Sequence, residues 1–386
     1  MRLSDRDIVC VGSADWETEL PINQHHLMGR LAQRNRILFV ESLGLRRPQL
    51  ASRDLRRLWR RFVRGLRGPR AADGLHVLSP LVLPFHGSAA VRAANCWLLR
   101  RQVGRAARKL GMDSPILWAY VPQAEVLLDV LGPELIVYHC VDDVAAQKGV
   151  DAASFRVAEE RFARRAGLVL ASAPALAERM RSLSGRVLYA PNVADTTMFA
   201  TALEPGPVDE TMASLPRPRL VFHGAVVATK LDVGLLAAVA RLRPEWSIVL
   251  VGPRGAGDPG GDLSPLDRAA NIHLVGARPA AALPAVLRGA DVGLIPYAID
   301  DLTRSVFPMK VYEYLAAGLP VLTTPLPALA DVDAIEIVAD ADALVTAAER
   351  ELEADSPQRR AERSRAAAAH SWEARIEQIE TALDDN

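Results

Sequence analysis

Thr303-Arg304-Ser305-Val306-Phe307-Pro308-Met309-Lys310-Val311-Tyr312-Glu313-Tyr314-Leu315-Ala316-Ala317-Gly318-Leu319-Pro320-Val321-Leu322-Thr323-Thr324 reads as a loop, then a helix, then a buried strand. Pro308 suits the first helical turn, where a missing N–H costs nothing. Val311, Tyr314 and Leu315 recur at helical spacing, Gly318 stops the helix, and Leu319 to Leu322 resumes as a short strand. The backbone N–H groups from about Val306 to Met309 are then expected to lie unpaired at a helix start, where phosphate oxygens are well received. Lys310 adds a positive charge there, and Glu313, one turn on, offers a carboxylate to a ribose diol. An ordinary amphipathic helix with a proline start and a glycine stop is the alternative reading.

Outward from that stretch the chain alternates short apolar strands with helices. Strands are expected at Ile8–Gly12, Arg36–Glu41, His76–Leu81, Ile116–Tyr120, Leu135–His139, Leu168–Ser172 and Val187–Tyr189, with helices near 23–33 and 158–165. After a proline-rich run, 201–219, a second series follows. Its strands are Leu220–His223, Ser247–Val251, Ile272–Val275 and Val292–Ile295, with helices at 232–241 and 281–288. Buried strands separated by helices imply parallel sheets covered on both faces, so the fold class is α/β. Two Rossmann-like domains facing across a cleft are expected, residues 1–200 and 201–386, with ligands at the carboxyl ends of the strands. The Ala/Arg/Glu-rich segment 359–383 reads as a closing helix, with Trp372 and Ile376 packing back on the first domain.

Pro308-Met309-Lys310-Val311-Tyr312-Glu313-Tyr314-Leu315-Ala316-Ala317-Gly318-Leu319-Pro320-Val321 resembles the donor-sugar segment of family 4-type glycosyltransferases of the GT-B fold. Several runs follow in the order that the resemblance implies. They are Val221-Phe222-His223-Gly224 with Lys230, Leu250-Val251-Gly252-Pro253, Asn271 to Gly276, and Ala290 to Tyr297. Tyr189-Ala190-Pro191-Asn192-Val193-Ala194-Asp195 is similar to the segment preceding the domain crossing. Two departures are visible. Ser305 stands where many relatives carry a first glutamate, and Ala225 where many carry an arginine. The resemblance covers 168–324 well and the first 165 residues in outline, and the chain loosely resembles surface-polysaccharide transferases of the teichuronic acid type.

That resemblance implies transfer of a sugar from a nucleoside diphosphate sugar, a UDP-sugar favoured, to an acceptor hydroxyl of a glycan or lipid-linked acceptor, with retention at the anomeric carbon. Donor contacts are expected from Gly224, Gly252, Arg278, Arg304, Ser305, Val306, Phe307, Pro308, Met309, Lys310 and Glu313. Lys230 and Lys310 are expected to stabilise charge on the leaving diphosphate. His139 and Asp142 are the first-domain catalytic candidates. Asp143 beside them reads as a helix cap or part of an acceptor pair, and Trp16, Gln24 and His25 as acceptor-side residues. No cofactor or metal is expected, because no Asp-x-Asp loop or His/Cys cluster occurs. Lysine usage adds weight: the chain has four lysines, Lys109, Lys148, Lys230 and Lys310, among 46 Lys+Arg. Two of the four fall where a compact ammonium suits phosphate.

Composition limits the alternatives. Half of the 386 residues are hydrophobic, and no apolar run approaches the roughly eighteen residues that a membrane span needs. Met1–Val11 runs from alternating charges into a strand and is not read as a signal peptide. Cys10, Cys96 and Cys140, odd in number and widely spaced, read as free thiols in a reducing, cytoplasmic setting. Net charge is zero, yet residues 1–200 hold 29 Lys+Arg against 19 Asp+Glu, and the rest 17 against 27. Arginines crowd 46–70, where Leu55, Leu58, Trp59, Phe62, Val63 and Leu66 mark one apolar helical face. A second cluster, Arg100, Arg101, Arg105, Arg108 and Lys109, follows Trp97. Such helices fit an anionic membrane surface, and so a peripheral position on its inner face. A solvated basic helix is the plain alternative, and no nucleic-acid motif accompanies the charge. Three other readings stay open: an epimerase of the same fold, a dinucleotide oxidoreductase, and a non-catalytic membrane scaffold. The oxidoreductase needs G-x-G-x-x-G after the first strand, where Gly12-Ser13-Ala14-Asp15 stands instead.

Overall fold

The computed structural model describes residues 1–42, 68–83, 88–147, 149–255, 258 and 260–384. Most of the arginine-rich 46–70 stretch lies outside the described residues. The chain divides into two compact units, Met1–Pro191 with Glu377–Asn386, and Asn192–Ile376. The division falls ahead of the expected 200/201 boundary because residues 192–214 pack on the second unit. There Asn192 Nδ2 donates to the Phe307 carbonyl at 2.7 Å, and the Phe199 ring stacks on His223 with centroids 6.2 Å apart.

In the first unit eight strands form one sheet: β1 (Asp7–Val11), β2 (Arg36–Val40), β3 (Arg70–Ala72), β4 (Leu75–Leu78), β5 (Ile116–Ala119), β6 (Leu135–Cys140), β7 (Leu168–Ala171) and β8 (Val187–Tyr189). Their order is β3-β4-β2-β1-β5-β6-β7-β8, parallel throughout except for the β3–β4 pair. β1, β5 and β7 are fully buried or nearly so, as runs such as Ile8-Val9-Cys10-Val11 require. The last residues of the chain belong here. Leu3 N donates to Glu380 Oε1 at 2.8 Å, Arg186 donates to the Ala382 carbonyl, and the amino terminus pairs with Asp384.

The second unit carries β9 (Arg219–His223), β10 (Ser247–Val251), β11 (Ile272–Gly276), β12 (Val292–Ile295), β13 (Val321–Thr323) and β14 (Ile335–Ile337). Its sheet is wholly parallel, in the order β11-β10-β9-β12-β13-β14. That is the doubly wound order whose direction reverses between β9 and β12. At such a reversal the helices on either side leave a crevice beyond the strand ends, the usual ligand seat of open α/β sheets. The helix Val233–Leu242, capped by Asp232 (Oδ1 to Leu235 N, 2.8 Å), lies in the β9–β10 crossover, and the helix Lys310–Ala316 joins β12 to β13.

The closing segment differs from expectation. It is two helices, Pro357–Ala368 and Trp372–Asp384, and not one. His370 leaves helical geometry to stack on Tyr312, centroids 4.0 Å apart, and Ser371 Oγ accepts from Ala374 N at 3.2 Å as a fresh cap. All three cysteines are free, Cys10 and Cys140 buried as expected, while Cys96 is half-buried.

Candidate functional site

The crevice at the β9/β12 reversal is built by glycine. Gly224, directly after β9, has φ +129°, and Gly252, directly after β10, has φ +152°, both unfavourable for a residue with a Cβ. Their backbones nearly touch. A Cβ on Gly252 would sit 1.8 Å from the Gly224 carbonyl oxygen, and one on Gly224 2.9 Å from Lys310 Nζ. Gly224 N donates to the Val251 carbonyl at 2.8 Å, which locks the two loops together.

Lys310 is the first residue of the Lys310–Ala316 helix, and its side chain turns toward the end of β12. Nζ donates to the Tyr297 hydroxyl at 3.3 Å and lies 5.3 Å from the Phe222 ring centroid and 5.9 Å from that of Tyr297. Lys230 reaches the same place from the β9 loop. Leu231 bridges antiparallel to Tyr297, and Ala298 N donates to the Lys230 carbonyl at 2.8 Å. Tyr297 registers both lysines. Burial alone would push its phenol up, but the charges of Lys310 and then Lys230 outweigh that and hold it below its ordinary value.

Glu313 is buried one turn along the helix, with Oε2 3.1 Å from His223 Nε2. The approach is off the line of a ring N–H, so it is a close polar contact and not an aligned hydrogen bond. Tyr314 locks the same strand end: its hydroxyl accepts from His223 N at 3.0 Å, and its ring fills the space that a Cβ on Gly293 would need.

The remaining donor-side expectations fare unevenly. Pro308 precedes the helix, with its carbonyl accepting from Val311 N at 3.3 Å. Val306 N is not left unpaired as expected, because a short turn, Thr303–Ser305, comes first and Val306 N donates to the Thr303 carbonyl at 3.0 Å. Ser305, Val306 and Phe307 are buried, Met309 is half-buried, and the Phe307 ring stacks on Tyr312. Arg304 is exposed and pairs with Asp301 at 3.3 Å, a surface contact of little energetic consequence. Arg278 is engaged by its own unit. It donates to Asp209 Oδ2 at 2.9 Å, the Val275 carbonyl at 2.8 Å and Thr211 Oγ1 at 3.0 Å, which fixes the start of the Glu210–Ser214 helix against β11.

In the first unit the expected side chains mostly serve their own loops. Gln24 is fully buried. Its Oε1 accepts from Ser13 N at 2.8 Å and its Nε2 donates to the Ala14 carbonyl at 3.2 Å, so it shapes the loop after β1. His25 Nδ1 accepts from Ile22 N at 3.0 Å, and Nε2 lies 2.9 Å from the Asp15 carbonyl. Burial holds this imidazole below its ordinary value. Trp16 is buried on Phe39, its Nε1 donating to Asp73 Oδ2 at 2.9 Å. His139 is buried at the end of β6, stacked on Tyr120 with centroids 4.8 Å apart. Asp142 is half-buried just beyond. Asp143 does not cap the short helix that follows, because it is held by Arg156 at 2.6 Å and Arg179 at 3.2 Å. Both arginines also reach buried Glu159, which accepts from the Tyr138 hydroxyl at 2.7 Å.

Residues 217–354 match the family described as Glycosyl transferases group 1. A run of 110 residues is 34% identical to TuaH of Bacillus subtilis, a glycosyltransferase named for teichuronic acid biosynthesis. The match takes in 28% of this chain and 27% of that relative, so the chain is matched over about a quarter of TuaH's length. Over whole chains, sucrose-phosphate synthase from Thermosynechococcus elongatus superposes with a TM-score of 0.70 at 15% identity, covering 98% of each. HepE from Anabaena, solved with UDP and glucose, gives 0.65 at 16% identity, covering 99% of this chain and all of that one. At these identities the likeness is one of fold, and the fold is GT-B. Lys230, Lys310, Glu313, Gly224, Gly252 and Tyr297 all lie inside the matched 217–354 domain.

Proposed function

We propose that the chain is a glycosyltransferase that moves a sugar from a nucleoside diphosphate donor to an acceptor hydroxyl, in the assembly of a surface polysaccharide or glycolipid. The observation that carries this reading is that two of the chain's four lysines, Lys310 at a helix start and Lys230 from the loop after β9, bring their charges to Tyr297 beside the β9/β12 reversal, with Lys310 lying against the bare backbone of Gly224. A diphosphate leaving group develops negative charge as the anomeric C–O bond breaks, and fixed ammonium groups in a partly dry crevice stabilise that charge. UDP is the favoured nucleotide, supported by HepE having been solved with UDP-glucose and by the UDP-forming trehalose-phosphate synthase of Burkholderia xenovorans, which shares the fold. The TuaH match supports a polysaccharide setting. Glu313 is the group we assign to the ribose diol, and retention of anomeric configuration goes with the same reading. The two lysines neutralise the diphosphate without a metal.

Calorimetric titration with UDP, GDP, UDP-glucose, UDP-N-acetylglucosamine and GDP-mannose tests the reading. One nucleotide series is expected to bind, with UDP tightest, and Glu313→Ala to weaken it about tenfold, the loss of one charge-assisted contact pair. Binding by none of the five would sink it.

A membrane-facing surface is a second element of the proposal. No helix among the described residues is long and apolar enough to cross a membrane. The helix Ala89–Lys109 nonetheless exposes Trp97, 59% accessible, with the Arg101 guanidinium 5.4 Å from its ring and Arg105, Arg108 and Lys109 exposed beyond. Arg100 is spent on Asp129 at 2.7 Å. An aromatic side chain flanked by exposed arginines suits an anionic headgroup layer. Replacing Trp97, Arg101 and Arg105 by Ala is expected to lower cosedimentation with phosphatidylglycerol vesicles by about tenfold or more, at about 1 kcal/mol per arginine. Equal sedimentation of the variant would remove this element and leave the donor site untouched.

A further inference from the structure

We infer that Tyr297 is the residue that positions Lys310 in the donor site, holding its ammonium at a fixed place beside the Phe222 and Tyr297 rings. The inference rests on the proposed donor reading only for what Lys310 binds, not for how it is held. An ammonium has donors and no acceptor, so at 3.3 Å it is the Tyr297 oxygen that accepts from Lys310 Nζ. The two rings add cation–π attraction from centroids 5.3 and 5.9 Å away, and they meet edge to face at 6.3 Å. Gly224 lies against it as well, its missing Cβ leaving room for Cε and Nζ.

Tyr297 is itself immobile. Its carbonyl accepts from Thr324 Oγ1 at 2.6 Å, its backbone pairs with Leu231, and its side chain is 5% exposed. A lysine on a seven-residue helix has four rotatable bonds, and nothing in its own helix fixes where the charge ends. The hydroxyl supplies that constraint. The charged groups around it are Lys310 and Lys230, with Glu313 opposing, so the phenol also senses the occupancy of the lysines.

The test uses the full-length Tyr297→Phe variant, which keeps the ring and removes only the oxygen. Because the chain has four lysines, acylation by dilute acetic anhydride can be followed at each one by mass spectrometry, with exposed Lys109 as the internal standard. The Lys310 rate relative to Lys109 is expected to rise at least fivefold in the variant, with the melting temperature unchanged within about 2 °C. UDP affinity is expected to fall five- to tenfold, and that fall to vanish in a Lys310→Ala background. An unchanged Lys310 labelling rate overturns the inference, as does an equal affinity loss from Tyr297→Phe with and without Lys310. Should UDP bind neither protein while the labelling rate rises, the positioning role stands and the donor reading fails.

Discussion

Lys310→Ala is expected to weaken UDP binding about 100-fold while the protein melts as before. Truncating one member of a partly desolvated, hydrogen-bonded charge pair costs about 2–5 kcal/mol, and each 1.4 kcal/mol is tenfold. The ammonium is half-buried, hydrogen-bonded to one phenol and faced by two rings, so little of its field is screened. Its removal leaves Phe222 and Tyr297 packed on each other and breaks no ion pair with a carboxylate, which is why stability is spared. Lys310→Arg is expected to bind nearly as poorly. The ammonium lies against Gly224, where the room for Nζ is set by a missing Cβ, and a planar guanidinium is wider than an ammonium. Calorimetry of the two variants beside the parent checks this. Parent-like affinity in Lys310→Ala would reduce the Thr303–Thr324 stretch to a well-packed helix.

Much of this was legible in the residues because it rests on local rules. β8, β10 and β12 fall where apolar runs bounded by turn residues place them, and Gly318 stops the Lys310–Ala316 helix in the left-handed region, φ +77°. The fold class follows from strands buried on both faces alternating with helices. Lysine scarcity marked Lys230 and Lys310. What escaped depends on partners far apart in the chain. Tyr297 ends an apolar strand and looks like core, and its role appears only when the Lys230 loop pairs beside it. His223 and Glu313 are ninety residues apart, and no periodicity connects them. The Arg278 side chain is held by Asp209 and Thr211, from a stretch read only as linker, and no local pattern shows that pairing. The break at 369–371 had a readable signal in Ser371, three residues before the amide it caps, but the surrounding alanines favoured one long helix. Asp143 shows the same limit. Asp after a strand suits a cap by composition, and two arginines from later helices decide otherwise.

The two glycines of the crevice separate structural from binding roles, and Gly252→Ala is expected to have the larger effect. Its added Cβ would meet backbone, 1.8 Å from the Gly224 carbonyl oxygen and 2.7 Å from the carbonyl carbon, and no rotamer relieves a clash between main chains. Its φ of +152° adds strain of about 1–3 kcal/mol for any residue with a Cβ. The loops after β9 and β10 must part, and the Gly224 N to Val251 carbonyl bond at 2.8 Å is the first to open. A loss of about 3 kcal/mol or more follows, or a fall in Tm of about 6–12 °C for a unit of this size, with UDP binding abolished. Gly224→Ala meets something softer. Its Cβ would press on Lys310 Cε and Nζ, the far end of a flexible side chain, at 2.8 and 2.9 Å. Lys310 swings aside, so UDP affinity falls about 30-fold while Tm drops by only the strain of φ +129°, about 2–6 °C. Differential scanning calorimetry paired with UDP titration distinguishes the two. Equal Tm losses in both variants, or full UDP binding by Gly224→Ala, would mean that the loop geometry does not aim Lys310 and that the crevice is packing alone.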